Sequence, residues 1–206
     1  MNEKTVRDAS LEYCGTFYAA KLLGLSVGTV QSMVERGELE GWKTKGGHRR
    51  ISMKAIHAYQ EEHGLKPAHM SVSDPFVRVL VVDDDEHTRE MMTNLIGSWK
   101  LSVDCTVMSS AMEALIDIHN LRPDVLFTDL NMPGVDGLAL LRTLRANPTF
   151  ENLVMVAVTG LTPEEVAERG GLPEHTVLVE KPVNTQWLQG FVTALATQYA
   201  LRAREA

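Results

Sequence analysis

Four short segments carry side chains whose chemistry depends on whether they meet: Asp83-Asp84-Asp85, Thr128-Asp129, Thr159 and Lys181-Pro182. Clustered carboxylates repel one another unless a cation neutralises them, and carboxylate and carbonyl oxygens select a hard ion such as Mg²⁺. A carboxylate beside such an ion, with a hydroxyl and an ammonium in reach, is arranged to attack phosphorus and to disperse the charge of the transferring group. A second set lies upstream. Residues 41–54 contain Lys43, Lys45, Arg49, Arg50 and Lys54 and no acid, a local cationic patch suited to a polyanion.

The elements that must position the acidic set follow from the hydropathy pattern. From Arg78 onward, short β-branched runs (VRVLVV, SVDCTV, DVLFT, LVMVAV, TVLVE) alternate with helical segments at about 87–98, 110–120, 136–146, 163–169 and 185–203. Ser109, Thr162 and Asn184 are the expected helix caps, and Thr162 with Glu165 reads as a capping box. The runs are too continuously apolar for half-exposed strands, so both faces should be covered. Five strands alternating with five helices predict a doubly wound α/β domain with a five-stranded parallel sheet, whose carboxyl strand ends share one rim. Asp83, Asp129, Thr159 and Lys181 all fall at such ends.

The basic set sits differently. TFYAAKLLGLSVGTVQSMVERGEL reads as two short helices capped by Thr16 and Ser26, broken at Gly24 and ended at Gly37. LEGWKTKGGHRRIS alternates around Gly46-Gly47 as a two-stranded hairpin, and Ser52 caps a further helix over about 53–63. Helix, turn, helix and hairpin make a winged helix-turn-helix over 13–64, after a loose arm at 1–12 and before a Pro/Ser/Gly-containing linker at 65–76. The second domain then occupies 77–206. Trp42 and Tyr59 are expected to anchor the wing or core.

The motifs VLVVDDD, DVLFTDLNMPGVDG, VAVTG and VEKP, in this order, resemble the receiver domain of two-component response regulators, a flavodoxin-like fold. The resemblance implies that Asp129 is the phosphoacceptor and that Asp83 and Asp84 form the acidic pocket. It implies a metal held by Asp84, Asp129 and the backbone carbonyl of Asn131, and contact of Thr159 and Lys181 with phosphoryl oxygens. The Lys181-Pro182 bond resembles the family's cis peptide, and a histidine kinase or phosphotransfer protein is the implied donor. Asp85, which the family does not require, is expected to be solvated. Where receivers usually carry an aromatic switch residue, three positions before the lysine, this chain has Leu178.

The first domain resembles the MerR/excisionase type of winged helix-turn-helix, with GGHRR as the wing turn. Thr29, Gln31 and Ser32 are then the side chains expected nearest base edges, Arg36 is expected at a phosphate, and Lys43, Lys45, His48, Arg49 and Arg50 should make phosphate or minor-groove contacts. Because the second helix carries no Arg or Lys before Arg36, the wing should supply much of the affinity. One such helix reads few bases, so a homodimer on paired half-sites is expected.

Composition narrows the function classes. Residues 1–70 carry ten Lys/Arg against eight Asp/Glu, and residues 71–206 ten against nineteen, so the halves face different partners. No apolar run is long enough to span a membrane, and MNEKTVRDASLEY lacks a secretory core, which points to a cytoplasmic protein. Cys14 and Cys105 lack metal-ligand spacing and are expected to be small buried residues. No second catalytic constellation accompanies the receiver motifs, so an enzyme with its own substrate is not expected. The competing reading is a signalling adaptor whose first domain binds a protein; salt-dependent binding to duplex DNA separates the two.

Overall fold

The computed structural model describes residues 13–44, 47–65 and 76–205, so the expected arm at 1–12, the body of the linker and Lys45-Gly46 of the wing turn lie outside the described residues. The first domain contains β1 (Tyr13–Gly15), α1 (Thr16–Leu23), α2 (Val27–Glu35), β2 (Gly41–Lys43), β3 (Arg49–Ser52) and α3 (Met53–Glu62). The second contains β4 (Val77–Val82), α4 (Glu86–Ser98), β5 (Val103–Met108), α5 (Ala111–Leu121), β6 (Val125–Asp129), α6 (Gly137–Arg145), β7 (Val154–Thr159), α7 (Pro163–Glu168), β8 (Thr176–Glu180) and α8 (Thr185–Glu205).

Strand order in the larger sheet is β5-β4-β6-β7-β8, all parallel. The two-residue period of β4 sends Leu80 and Val82 to one side, where they pack with Ala114, Ile118, Leu138 and Leu141 of α5 and α6. Val79 and Val81 go to the other side, against Met92 and Ile96 of α4 and Leu188 and Val192 of α8. Double coverage does not extend to the edge: Val177 and Leu178 of β8 are each 37% exposed, because the preceding α7 has only six residues. Among the described residues, no helix is long and apolar enough to cross a membrane.

In the first domain Gly24 takes φ 67° at the break between α1 and α2, a backbone state open to glycine at little cost. Two expected caps move by one residue. Gly15 rather than Thr16 precedes α1, and Ser110 rather than Ser109 caps α5, while Ser26, Ser52 and Thr162 cap where predicted. Asn184 Oδ1 accepts from the Gln186 and Trp187 N–H groups at the start of α8. The hairpin gains a third strand: β1 pairs antiparallel with β3, giving the order β1-β3-β2.

The linker boundary shows the largest difference from the sequence reading. Phe76 is buried in the first domain's core and stacks on Tyr18 at 4.4 Å, and Leu65 packs on the same cluster. The chain re-enters this core before it starts β4, because an aromatic side chain next to an unfilled apolar site gains more there than in water. Phe76→Ala should lower unfolding stability by about 3–5 kcal/mol, the cost of deleting a buried aromatic. Chemical denaturation of the full chain reads this directly, and a loss below about 1 kcal/mol would mean that Phe76 is only linker.

Candidate functional site

The site lies where the chain path reverses about β4, with β5 to one side and β6 to the other, so the loops after β4 and β6 diverge and leave a crevice at their carboxyl ends. Asp83 directly follows β4 and Asp129 ends β6; both are buried, whereas Asp84 is exposed. One oxygen from each of Asp83, Asp84 and Asp129 lies within 4.8 Å of the others. Lys181, after β8, reaches across to donate to Asp83 Oδ2 at 2.8 Å and Asp129 Oδ2 at 2.7 Å. Burial alone would lower the Lys181 pKa, but the hydrogen bonds and charges of Asp129 and Asp83 outweigh it and raise it.

Each side chain has a local reason for its position. Asp83 Oδ1 accepts from the Asp85 N–H at 2.9 Å, and Arg89 of α4 donates to the carbonyls of Asp83 and Asp84 at 2.7 and 2.8 Å, fixing the acidic loop. Asp85 is the α4 cap: its carboxylate accepts from the His87 N–H and the Thr88 hydroxyl, which corrects the expectation of a merely solvated acid. Asp129 Oδ1 accepts from the Asn131 N–H at 3.0 Å, so the loop after β6 curls over the carboxylate. That curl needs Gly137, where a Cβ would sit 1.8 Å from the Asp129 carbonyl oxygen. Thr159 is fully buried, and its hydroxyl accepts from the Leu161 N–H at 3.2 Å. The Lys181-Pro182 peptide is cis.

Three carboxylates gather here, and the Lys181 ammonium bonds only two of them. Such an all-oxygen donor set fits a divalent hard cation.

The sequence matches a response regulator receiver domain over residues 79–193. The chain belongs to that family. A helix-turn-helix domain matches over residues 13–64, so this response regulator joins a receiver to a helix-turn-helix domain. The chain is 36% identical over 131 residues to a protein-glutamate methylesterase/protein-glutamine glutaminase of Myxococcus xanthus, covering 63% of this chain and 34% of that protein. It is 30% identical over 105 residues to the DNA-binding response regulator MtrA of Mycolicibacterium smegmatis, covering 51% of this chain and 45% of MtrA. The chain thus spans less than half the length of these relatives. Among solved structures, the fold is similar to the chemotaxis response regulator CheY4 of Vibrio cholerae (TM-score 0.50, 23% identity, 58% of this chain and 98% of that one). It is also similar to the receiver domain of a Syntrophus aciditrophicus histidine kinase (TM-score 0.53, 23% identity, 59% and 91%).

The expected DNA-contact residues of the response regulator divide into two groups. On α2, Thr29 is exposed and Gln31 and Ser32 are half-buried. Arg36 pairs with Glu38 at 2.6 Å, and Arg49 and Lys43 both reach Glu35, whose pKa they lower, first through the Arg49 hydrogen bond. Of the wing residues, Lys43 is exposed and Arg49 stays on Glu35 of its own domain, whereas His48 and Arg50 face the receiver. Arg50 is 6% exposed, and His48 Nε2 lies 3.0 Å from Glu113 Oε1 of α5. Lys45 lies outside the described residues. Trp42, expected as an anchor, is 41% exposed and meets Tyr13 edge-on at 6.3 Å.

The charge split between the halves permits a basic wing to contact an acidic receiver, and the structure shows which residues meet. Gly15 N–H donates to Asp104 Oδ2 at 2.8 Å, the Thr44 hydroxyl to Asp117 Oδ2 at 2.6 Å, and Lys21 Nζ to the Trp99 and Leu101 carbonyls at 2.8 and 2.9 Å. Phe17 fills the space over Gly97, where a Cβ would meet its ring at 2.2 Å. Burial pushes the Asp104 carboxyl up and the Arg50 guanidinium down, while the attraction between them opposes both shifts. The available signal was Asp104 itself, an acid inside the apolar run SVDCTV.

Lys181→Met should lower stability by about 2 kcal/mol near neutral pH, the scale of hydrogen bonds to charged groups. Because the folded Lys181 pKa is raised, its contribution is full below the unfolded value of about 10.4 and is lost as pH rises through the folded value. Urea midpoints of wild type and variant should therefore converge on the alkaline side. A difference that stays constant with pH would show that the ammonium's charge contributes nothing.

Proposed function

We propose that this response regulator is a phosphorylation-controlled, DNA-binding transcription regulator of a two-component system, with Asp129 as phosphoacceptor. The observation that carries this reading is the meeting of the Asp129 and Asp83 carboxylates on one Lys181 ammonium at the carboxyl rim, beside Asp84. A phosphorylated histidine of a kinase or phosphotransfer protein is the donor: an Asp129 oxygen forms the new bond to phosphorus as the phosphorus–nitrogen bond breaks and the imidazole leaves. Lys181 then moves from bridging two carboxylates to holding a phosphoryl oxygen, and the Thr159 hydroxyl meets another. Asp83, Asp84, Asp129 and the Asn131 carbonyl would hold Mg²⁺, which would supply charge neutralisation for the incoming group.

In the first domain Thr29, Gln31 and Ser32 read base edges while Arg36, Lys43, Lys45, His48, Arg49 and Arg50 serve the backbone, with two copies on paired half-sites. The match to a helix-turn-helix domain and the likeness to a protein named as a DNA-binding response regulator support this part. Cytoplasmic placement goes with a DNA target.

Labelling with a small phosphodonor and Mg²⁺ tests the first part. Asp129→Asn should lose more than about nine-tenths of the acid-labile label, and retained labelling at another residue would refute the assignment. Salt titration of duplex binding by the full chain tests the second: log affinity should fall steeply and linearly with log salt.

A further inference from the structure

The wing and α5 meet through groups that a DNA backbone would use. Thr44 offers a hydroxyl and His48 a ring nitrogen, donors suited to phosphate oxygens, and in the structure both meet carboxylate oxygens. Their partners, Asp117 and Glu113, stand four residues apart on one face of α5. That spacing places side chains about 5–6 Å apart, comparable with successive phosphates along one strand. Glu113 is held in position, since its Oε2 accepts from the Ser109 N–H and hydroxyl at 2.9 and 3.1 Å, leaving Oε1 for His48. Thr44 is 6% exposed and Asp117 fully buried, so no phosphate can share the Thr44 hydroxyl while the wing is docked. Arg50, buried beside Asp104, is withdrawn as well. The base-facing side of α2 is different: Thr29 is exposed, and nothing from α5 is bonded to Thr29, Gln31 or Ser32 among the described residues.

We propose that the Glu113–Asp117 face of α5 is a built-in mimic of the DNA backbone, which competes with duplex DNA for the wing while leaving the recognition helix open. This rests on the DNA-binding reading above and adds to it the identity of the competing surface. Docked and DNA-bound wings exclude one another, so the apparent affinity for DNA is the intrinsic one multiplied by the undocked fraction. Base reading by α2 is available in both states, but the wing's backbone contacts are available only in one. Sequence-independent affinity is therefore the quantity that docking withholds.

The test is binding of a mixed-sequence duplex by the full chain. Glu113→Gln with Asp117→Asn should tighten binding about tenfold by releasing the wing, whereas the charge-matched pair Glu164→Gln with Glu168→Gln on α7 should change it by about twofold or less. Equal tightening by both pairs, or none by either, overturns the competition while leaving DNA binding intact. If no form of the chain binds duplex in a salt-dependent way, the DNA-binding reading falls and the competition falls with it. Should the Glu113/Asp117 double variant lose Asp129 labelling and so prove misfolded, amide hydrogen exchange of the unmutated chain decides. Adding DNA should then speed exchange at the Gly15 N–H, which the Asp104 carboxylate holds, and slowed or unchanged exchange there overturns the proposal.

Discussion

Burying β4 on both faces commits this chain to helices above and below the sheet, and the acidic residues that follow then have one place to go. A strand of six residues with no polar side cannot lie at a surface, so Leu80 and Val82 take α5 and α6 while Val79 and Val81 take α4 and α8. Helical crossovers of one hand keep every strand parallel, which gathers their carboxyl ends at one rim. Asp83 and Asp129 meet there because β4 and β6 are neighbours, and Lys181 reaches them from β8, two strands farther along the sheet. The repulsion between the two carboxylates makes the lysine's position consequential: each hydrogen bond it donates also removes a charge conflict.

The same sheet has two unlike edges, and the chain treats them differently. At β8 a short α7 leaves Val177 and Leu178 half-exposed, with no aromatic ring at position 178. At β5 the first domain covers the edge, with Gly15 donating into Asp104 and Phe17 packed over Gly97. Covering an edge strand protects its polar groups from pairing with another chain. Here the cover is also the helix-turn-helix domain, so protection of the edge and access of the wing are linked through one interface. Buried polar groups of this sort, Thr44, Arg50, Asp104 and Asp117, stabilise little unless each is matched, and they specify one docking geometry over others.

Within each domain the sequence by itself determined much. Continuous apolar runs spaced by helical periods revealed the five parallel strands, and β8 falls on the TVLVE run residue for residue. The acid-ended strands and the order of the motifs pointed to Asp83, Asp84, Asp129, Thr159 and Lys181, because parallel topology converts position along a strand into position at the rim. Helix breaks at Gly24 and Gly37 were legible for a local reason: a left-handed backbone there asks for glycine. Caps shifted by a residue, as at Ser109 and Ser110, because neighbouring serines offer the same hydroxyl and packing selects between them.

Only the tertiary structure decided which partners the charged residues take. Read along the chain, Arg50 and His48 belong to a basic hairpin and Asp104, Glu113 and Asp117 to a separate acidic domain, and nothing local says that they meet. Their pairing joins residues more than fifty positions apart through two surfaces, and such surfaces are set by shape and register after each domain has folded. Phe76 shows the same limit from the apolar side: in sequence it is the last residue of a linker, and it became core because Tyr18 left an apolar site that its ring fills. Hydropathy periods report which face of an element is buried, not against what, and that second question is answered by contacts distant in sequence.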